Sequence, residues 1–241
     1  MIRIENLKKQ FGETIACDIP SFTVNDGDML GLVGNNGAGK TTLFRILLDL
    51  LKPDMGSVAI NSINPANSEE WKAMTGAYID EGFLIDYLTP EEYFAFIGKV
   101  SGIAPDLVSQ RLNDFGRFAG GEIFGQKKLI RNLSAGNKQK VGIISALLRS
   151  PKLVILDEPF NFLDPSSQNI LKRLLTDYQK RTQATILISS HNLQHTIEIS
   201  TRIALLEKGK IIKDLPNEAE SAKEQLNAYF EVGEVQEETE S

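Results

Sequence analysis

Cysteine is nearly missing: Cys17 is the only one in 241 residues, so no disulfide can close within the chain. That excludes a small disulfide-stapled scaffold and fits a reducing compartment, with Cys17 reading as a small half-buried hydrophobe. No stretch approaches the roughly 20 consecutive apolar residues that a membrane-crossing helix needs. Met1 to Lys9 alternates apolar and polar types and lacks the core of a signal peptide, so the chain reads as neither secreted nor membrane-spanning by itself. Positive charge is also in deficit, with 26 Lys and Arg against 32 Asp and Glu and a net charge of −6. Without a basic stripe to neutralise phosphates, no DNA or RNA partner is expected. There is no internal repeat and no heptad run long enough for a coiled coil.

What is present suits one compact unit with a real core: 41% of residues are apolar and 24% charged, near the average for globular proteins. Ile2, Ile4 and Val24 sit among polar residues as in half-buried strands. Met29 to Val33 and Leu153 to Leu156 are continuous apolar runs of the kind found in buried parallel sheets. Between Ser68 and Arg149 strand signals fade after Ile79 and helical ones multiply. Thr89, Pro90 and Glu92 combine a capping hydroxyl, a proline at the first helical position and a glutamate able to reach back. A helical lobe at about 82–150, inserted into an α/β domain spanning 1–230, is the simplest account. Strand patterns return at Leu153, Ala184 to Ser189, Ile203 to Leu206 and Ile211 to Asp214. A helix is expected over Glu218 to Phe230, and 231–241 reads as a solvated acidic tail.

Gly34-Asn35-Asn36-Gly37-Ala38-Gly39-Lys40-Thr41 satisfies the P-loop pattern. It follows an apolar strand and opens a helix carrying Leu43, Ile46, Leu47 and Leu50, which is the context the motif requires. Glycines let the backbone curl so that N–H groups and a helix N-terminus face one phosphate chain. Lys40 adds a positive charge for the β- and γ-phosphates, and Thr41 offers a hydroxyl to Mg²⁺. Asp157 and Glu158 follow the strand Leu153 to Leu156, where parallel sheets present ligand-binding groups. Beside a P-loop, Asp157 is the expected Mg²⁺ orienting group and Glu158 a candidate general base.

A third motif, Leu133-Ser134-Ala135-Gly136-Asn137-Lys138-Gln139, precedes that strand, and with it the sequence resembles the nucleotide-binding subunits of the ABC ATPase superfamily. The resemblance spans nearly the whole chain. It implies a P-loop NTPase fold with a mostly parallel core sheet, an N-terminal antiparallel β subdomain and the inserted helical lobe. Asn161-Phe162-Leu163-Asp164 looks like the family's D-loop. The match implies that His191 contacts the γ-phosphate and that Phe11 stacks on adenine, although a plain core role also suits Phe11. Read without the family, Ser134 is simply a good N-cap for a helix running to Arg149.

The resemblance further implies that ATP lies between two copies of the chain, cradled by Gly34 to Thr42 of one and capped by Ser134 and Gly136 of the other. Separate transmembrane permease subunits would then hold this cytoplasmic chain at the inner face of the membrane. The signature departs from the family at Ala135 and Asn137, and Glu81 stands where the family carries a glutamine. Several bacitracin-resistance and lantibiotic-immunity ATPases are similar at that position, which points to export. Glu81 is a candidate for Mg²⁺ and the attacking water, with a solvated loop acid as the other reading. Gly82 to Leu88 reads either as a docking surface for a permease or as a core segment. A soluble ABC ATPase of an assembly complex, of the iron-sulfur scaffold type, is the alternative function.

Overall fold

The computed structural model describes residues 1–217 and Leu226, so the helix expected over 218–230 and the acidic tail otherwise lie outside the described residues. β1 (Ile2–Phe11) and β2 (Thr14–Val24) form a hairpin in which Ile2 faces Val24 and Ile4 faces Phe22, all four buried. Next come the fully buried β3 (Met29–Val33), the P-loop and α1 (Lys40–Leu47). β4 (Met55–Ile60) then pairs antiparallel with the free side of β1, and the short α2 (Glu70–Met74) leads into β5 (Thr75–Tyr78).

Helices dominate the chain from there to residue 147. α3 (Pro90–Val100) starts at the expected place, with Thr89 Oγ accepting from the Glu92 N–H at 3.3 Å and Glu92 Oε2 accepting from the Thr89 N–H at 2.8 Å. This reciprocal cap satisfies two N–H groups that the first turn would otherwise leave unpaired. α4 (Pro105–Asn113), α5 (Gly116–Ala119) and α6 (Ala135–Leu147) follow. α6 ends two residues before the expected Arg149. It also packs on β5 through glycines that admit no side chain: a Cβ on Gly142 would sit 2.1 Å from the Tyr78 ring, and one on Gly76 would sit 1.9 Å from the Ala146 carbonyl oxygen.

β6 (Leu153–Leu156), α7 (Pro165–Thr182), β7 (Thr185–Ser190), α8 (Leu193–Ile197), β8 (Arg202–Glu207) and β9 (Lys210–Pro216) complete the described fold. The three-stranded sheet has the order β2-β1-β4 and is antiparallel. The six-stranded sheet has the order β5-β6-β7-β3-β8-β9, with all neighbours parallel except the β8–β9 hairpin. One apolar core, including the fully buried Phe44, fills the space between the two sheets and α1; a second joins the inserted helices to α6 and α7. Each such side chain contributes roughly 1.5–3 kcal/mol by leaving water. The consequence for function is topological. β5, β6, β7 and β3 lie side by side and point the same way, so Glu81, Glu158, His191 and the P-loop all emerge at one edge of the sheet.

Candidate functional site

The loop from Gly34 to Gly39 is shaped by close backbone approach. A Cβ on Gly34 would fall 2.2 Å from the Leu206 carbonyl oxygen, and one on Gly39 would fall 2.1 Å from that of Ala16. Gly39 also has φ 108, a left-handed value that favours glycine, and it starts α1 with no side-chain cap. The first N–H groups of α1 therefore keep their capacity to hold an anion. Asn35, Asn36 and Gly37 are exposed, Ala38 is buried, and Thr42 is half-buried beside Thr41. The Lys40 ammonium is buried and donates to the carbonyls of Gly34 at 2.6 Å and Asn35 at 3.2 Å.

Two carboxylates meet this loop from β6. Asp157 Oδ2 accepts from the Thr41 hydroxyl at 2.5 Å, and its other oxygen accepts from the hydroxyl of Ser189. Burial raises the Asp157 pKa, while the bonds from Ser189 and Thr41 oppose that rise. Glu158 Oε1 lies 3.5 Å from the Lys40 ammonium, and Oε2 lies 2.8 Å from Nδ1 of His191. Glu158 has φ 46, and both of its backbone groups are held: its N–H donates to Ser189 Oγ at 2.8 Å, and its carbonyl accepts from Gln139 Nε2 at 3.1 Å. A left-handed glutamate costs energy, and these bonds are what keep it there.

Ser134 is exposed and caps α6 by accepting from the Asn137 N–H at 3.3 Å. Gly136 is half-buried, with room for no side chain, since a Cβ there would lie 2.6 Å from the Phe162 carbonyl oxygen. Phe162, at φ 62, is 73% exposed, and Asp164 caps α7 by accepting from the N–H groups of Ser166 and Ser167.

The sequence profile described as ABC transporter matches residues 17–161, more than half of the chain. The chain belongs to the ABC transporter family. Among its relatives is the bacitracin transport ATP-binding protein BcrA of Bacillus licheniformis, 34% identical over 222 residues, or 90% of this chain and 70% of that protein. A probable sulfate/thiosulfate import ATP-binding protein, CysA of Chlorella vulgaris, is 32% identical over 88% of this chain and 89% of its own length. The solved structure of an ATP-binding subunit of an ABC transporter superposes with a TM-score of 0.81 at 26% identity, covering 94% of this chain and 93% of the other. Fold and family thus agree with the resemblance read from the motifs, and the chain is an ABC ATPase.

Within that family frame, the structure brings Lys40, Thr41, Asp157, Glu158 and His191 into one group joined by hydrogen bonds and ion pairs, with Ser189 bridging the two acids. Phe11 is 51% exposed, with the Lys9 ammonium 5.3 Å from its ring centroid, so its ring is not a core element. Glu81 is not joined to this group by any hydrogen bond or ion pair recorded among the described residues; its carboxylate pairs with Lys138 of the signature helix at 3.0 Å. The segment 82–88 divides: Leu84 is buried and Ile85 and Leu88 pack against the core, whereas Phe83 and Tyr87 are exposed. Ser189, Gln139 and Lys138 escaped the reading as site residues. A serine hydroxyl ending an apolar strand was the available signal for Ser189, because buried hydroxyls need partners. No helix among the described residues is long and apolar enough to cross a membrane.

Proposed function

We propose that this ABC ATPase binds ATP between two copies of itself, hydrolyses it, and drives separate transmembrane permease subunits in export. The observation that carries the reading is Glu158, held between Lys40 and His191 one residue after a carboxylate bonded to Thr41.

The N–H groups of the P-loop and the first turn of α1 bind the phosphates, and Lys40 supplies a charge that Coulomb attraction favours in a partly dry site. Glu158 takes a proton from the water that attacks the γ-phosphorus, and the bond to the β–γ bridging oxygen breaks as ADP leaves. His191 holds the Glu158 carboxylate and faces the transferred group. The hydroxyl of Thr41 and the carboxylate of Asp157 form a hard-oxygen pair that suits Mg²⁺, which takes few protein ligands when phosphates and water supply the rest. When bound, Mg²⁺ neutralises charge on the phosphate oxygens.

Ser134 and Gly136, on the open first turn of α6, are suited to a second copy's γ-phosphate, so the complete site needs two molecules. Phe11 would stack on the adenine. The exposed Phe83 and Tyr87 offer aromatic area to a permease, holding the chain peripherally at the membrane. Export is favoured by Glu81, a position at which bacitracin-resistance type ATPases are similar, and a bacitracin transport protein is among the relatives.

Glu158→Gln tests the reading. The variant puts an isosteric carboxamide in place of the carboxylate and thereby removes the base, so hydrolysis falls by about 10²–10⁴-fold while Mg-ATP shifts the chain to a dimer in size-exclusion chromatography. Normal hydrolysis in the variant would remove Glu158 from its role, and a monomer at saturating Mg-ATP would remove the two-copy site.

A further inference from the structure

Two neighbouring acids at the end of β5 hold two different helices. Asp80 Oδ2 pairs with Arg45 of α1 at 3.1 Å, and Glu81 Oε2 pairs with Lys138 of α6 at 3.0 Å. Asp80 Oδ1 also accepts from the Gly82 N–H at 2.8 Å, closing the turn that carries both acids. One turn therefore ties the phosphate-binding helix to the signature helix.

The packing of α6 explains where such a tie would act. Gly142 and Ala146 press its second half onto β5 with no space for adjustment. Its first turn, with Ser134 at the tip, depends on side-chain bonds: Lys138 to Glu81, Asn137 Nδ2 to Glu122 at 2.8 Å, and Gln139 to the Glu158 carbonyl. The pair with Glu81 joins the first turn to the segment that Arg45 of α1 holds, beside the bond from Gln139 to the carbonyl of Glu158, which Lys40 of α1 holds. A neutral amide at position 81 could not form this ion pair.

We propose that Glu81 is a positioning residue: through Lys138 it fixes the signature turn Ser134–Gly136 relative to the phosphate-binding helix of the same molecule. The inference rests on the proposed two-copy site, because that turn would serve the nucleotide held by the other copy. Linked in this way, the two half-sites of one chain keep a set spacing, and an error in the spacing appears as a slower chemical step. Both side chains reach solvent, so the pair contributes little to folding stability and its effect is one of placement.

The test is steady-state ATP hydrolysis by the full chain, with ATP and Mg²⁺ each varied, in E81Q, K138Q, E81Q/K138Q, E81K and E81K/K138E. E81Q and K138Q should each lower kcat by up to about five-fold, the reach of an exposed ion pair, with the ATP and Mg²⁺ dependence unchanged. The double neutral variant should be no slower than either single, and E81K/K138E should recover rate relative to E81K. A full-speed K138Q beside a slow E81Q that needs more Mg²⁺ would overturn the proposal and place Glu81 at the metal. Failure of the charge exchange to recover any rate would overturn it equally. Should the unaltered chain itself bind no ATP, the proposed function fails first and takes this inference with it, whereas failure of the inference alone is visible only in the variants.

Discussion

Nδ1 of His191 stands 2.8 Å from Oε2 of Glu158, while the buried ammonium of Lys40 stands 3.5 Å from Oε1. With Nδ1 engaged by the carboxylate, Nε2 is the ring nitrogen left to face the phosphate in the proposed mechanism. The proposed base, held by two partners, is pointed in one direction, and orientation of this kind affects the chemical step more than ground-state binding. His191→Ala should lower kcat by about 10²-fold and leave ATP affinity within a few-fold of the unaltered chain. Turnover and equilibrium binding of a fluorescent ATP analogue check both. A variant that binds weakly but turns over normally would show that His191 serves binding only.

Ser189 supports both acids with one hydroxyl, donating to Asp157 and accepting from the backbone N–H of Glu158. It is fully buried, so water does not readily replace it. Ser189→Ala leaves the Glu158 N–H without its partner while that residue remains at φ 46, and an unsatisfied buried donor costs about 1–3 kcal/mol. The melting temperature should fall, and kcat should fall further than stability alone explains, because Glu158 loses its anchor. Unchanged turnover in a properly folded variant would mean that Gln139 suffices to hold Glu158.

The parts of the site that were legible in the sequence are those whose chemistry is contiguous. Gly34 to Thr41 announces itself because a curled loop and a helix start must be neighbours in the chain, and Asp157-Glu158 because a buried strand must end before its acids can reach solvent. The β5–β6–β7–β3 neighbourhood is a property of topology, and strand order leaves no local mark. Ser189, Gln139 and Lys138 act through partners 31, 19 and 57 positions away, the last being 138 minus 81, so no local pattern singles them out. Glu81 illustrates the same point: its departure from the family residue was visible, but the cation it pairs with was not. The end of α6 was overestimated by two residues because Leu148 and Arg149 are good helix formers and fraying is decided by tertiary contacts.

Gly136 links two motifs that the sequence presents separately. Its α-carbon sits so near the Phe162 carbonyl that an added methyl would lie 2.6 Å from that oxygen, and Phe162 already holds a left-handed φ of 62. Gly136→Ala must therefore push the 161–164 loop away from the signature turn. Overpacking of this kind typically costs about 1–3 kcal/mol, and the displaced loop should reduce hydrolysis at least ten-fold if its spacing matters as the two-copy site requires. Thermal melting and steady-state turnover separate the two effects: a small shift in melting with a large loss of rate supports the spacing argument, and full activity opposes it.

His195 supplies a pH dependence of stability. Its ring lies 4.9 Å from that of Phe160, its Nδ1 is buried without a partner among the described residues, and Lys172 lies over the other ring. Burial, then the charge of Lys172, hold the imidazole below its usual value of 6.5; Glu198 opposes them and His191 adds to them. The folded chain thus takes up this proton less readily than the unfolded chain. Its contribution is fully present above about pH 6.5 and is lost as the pH falls through that value toward the folded one. Part of the ring meets solvent, which damps the effect. His195→Gln keeps a polar side chain without a titrating group, so the difference in urea midpoint between pH 7.5 and pH 5.5 should shrink while the midpoint at pH 7.5 changes little. An identical pH slope in both proteins would show that His195 charges in place without cost, and that the acid sensitivity of the fold lies in its other titrating groups.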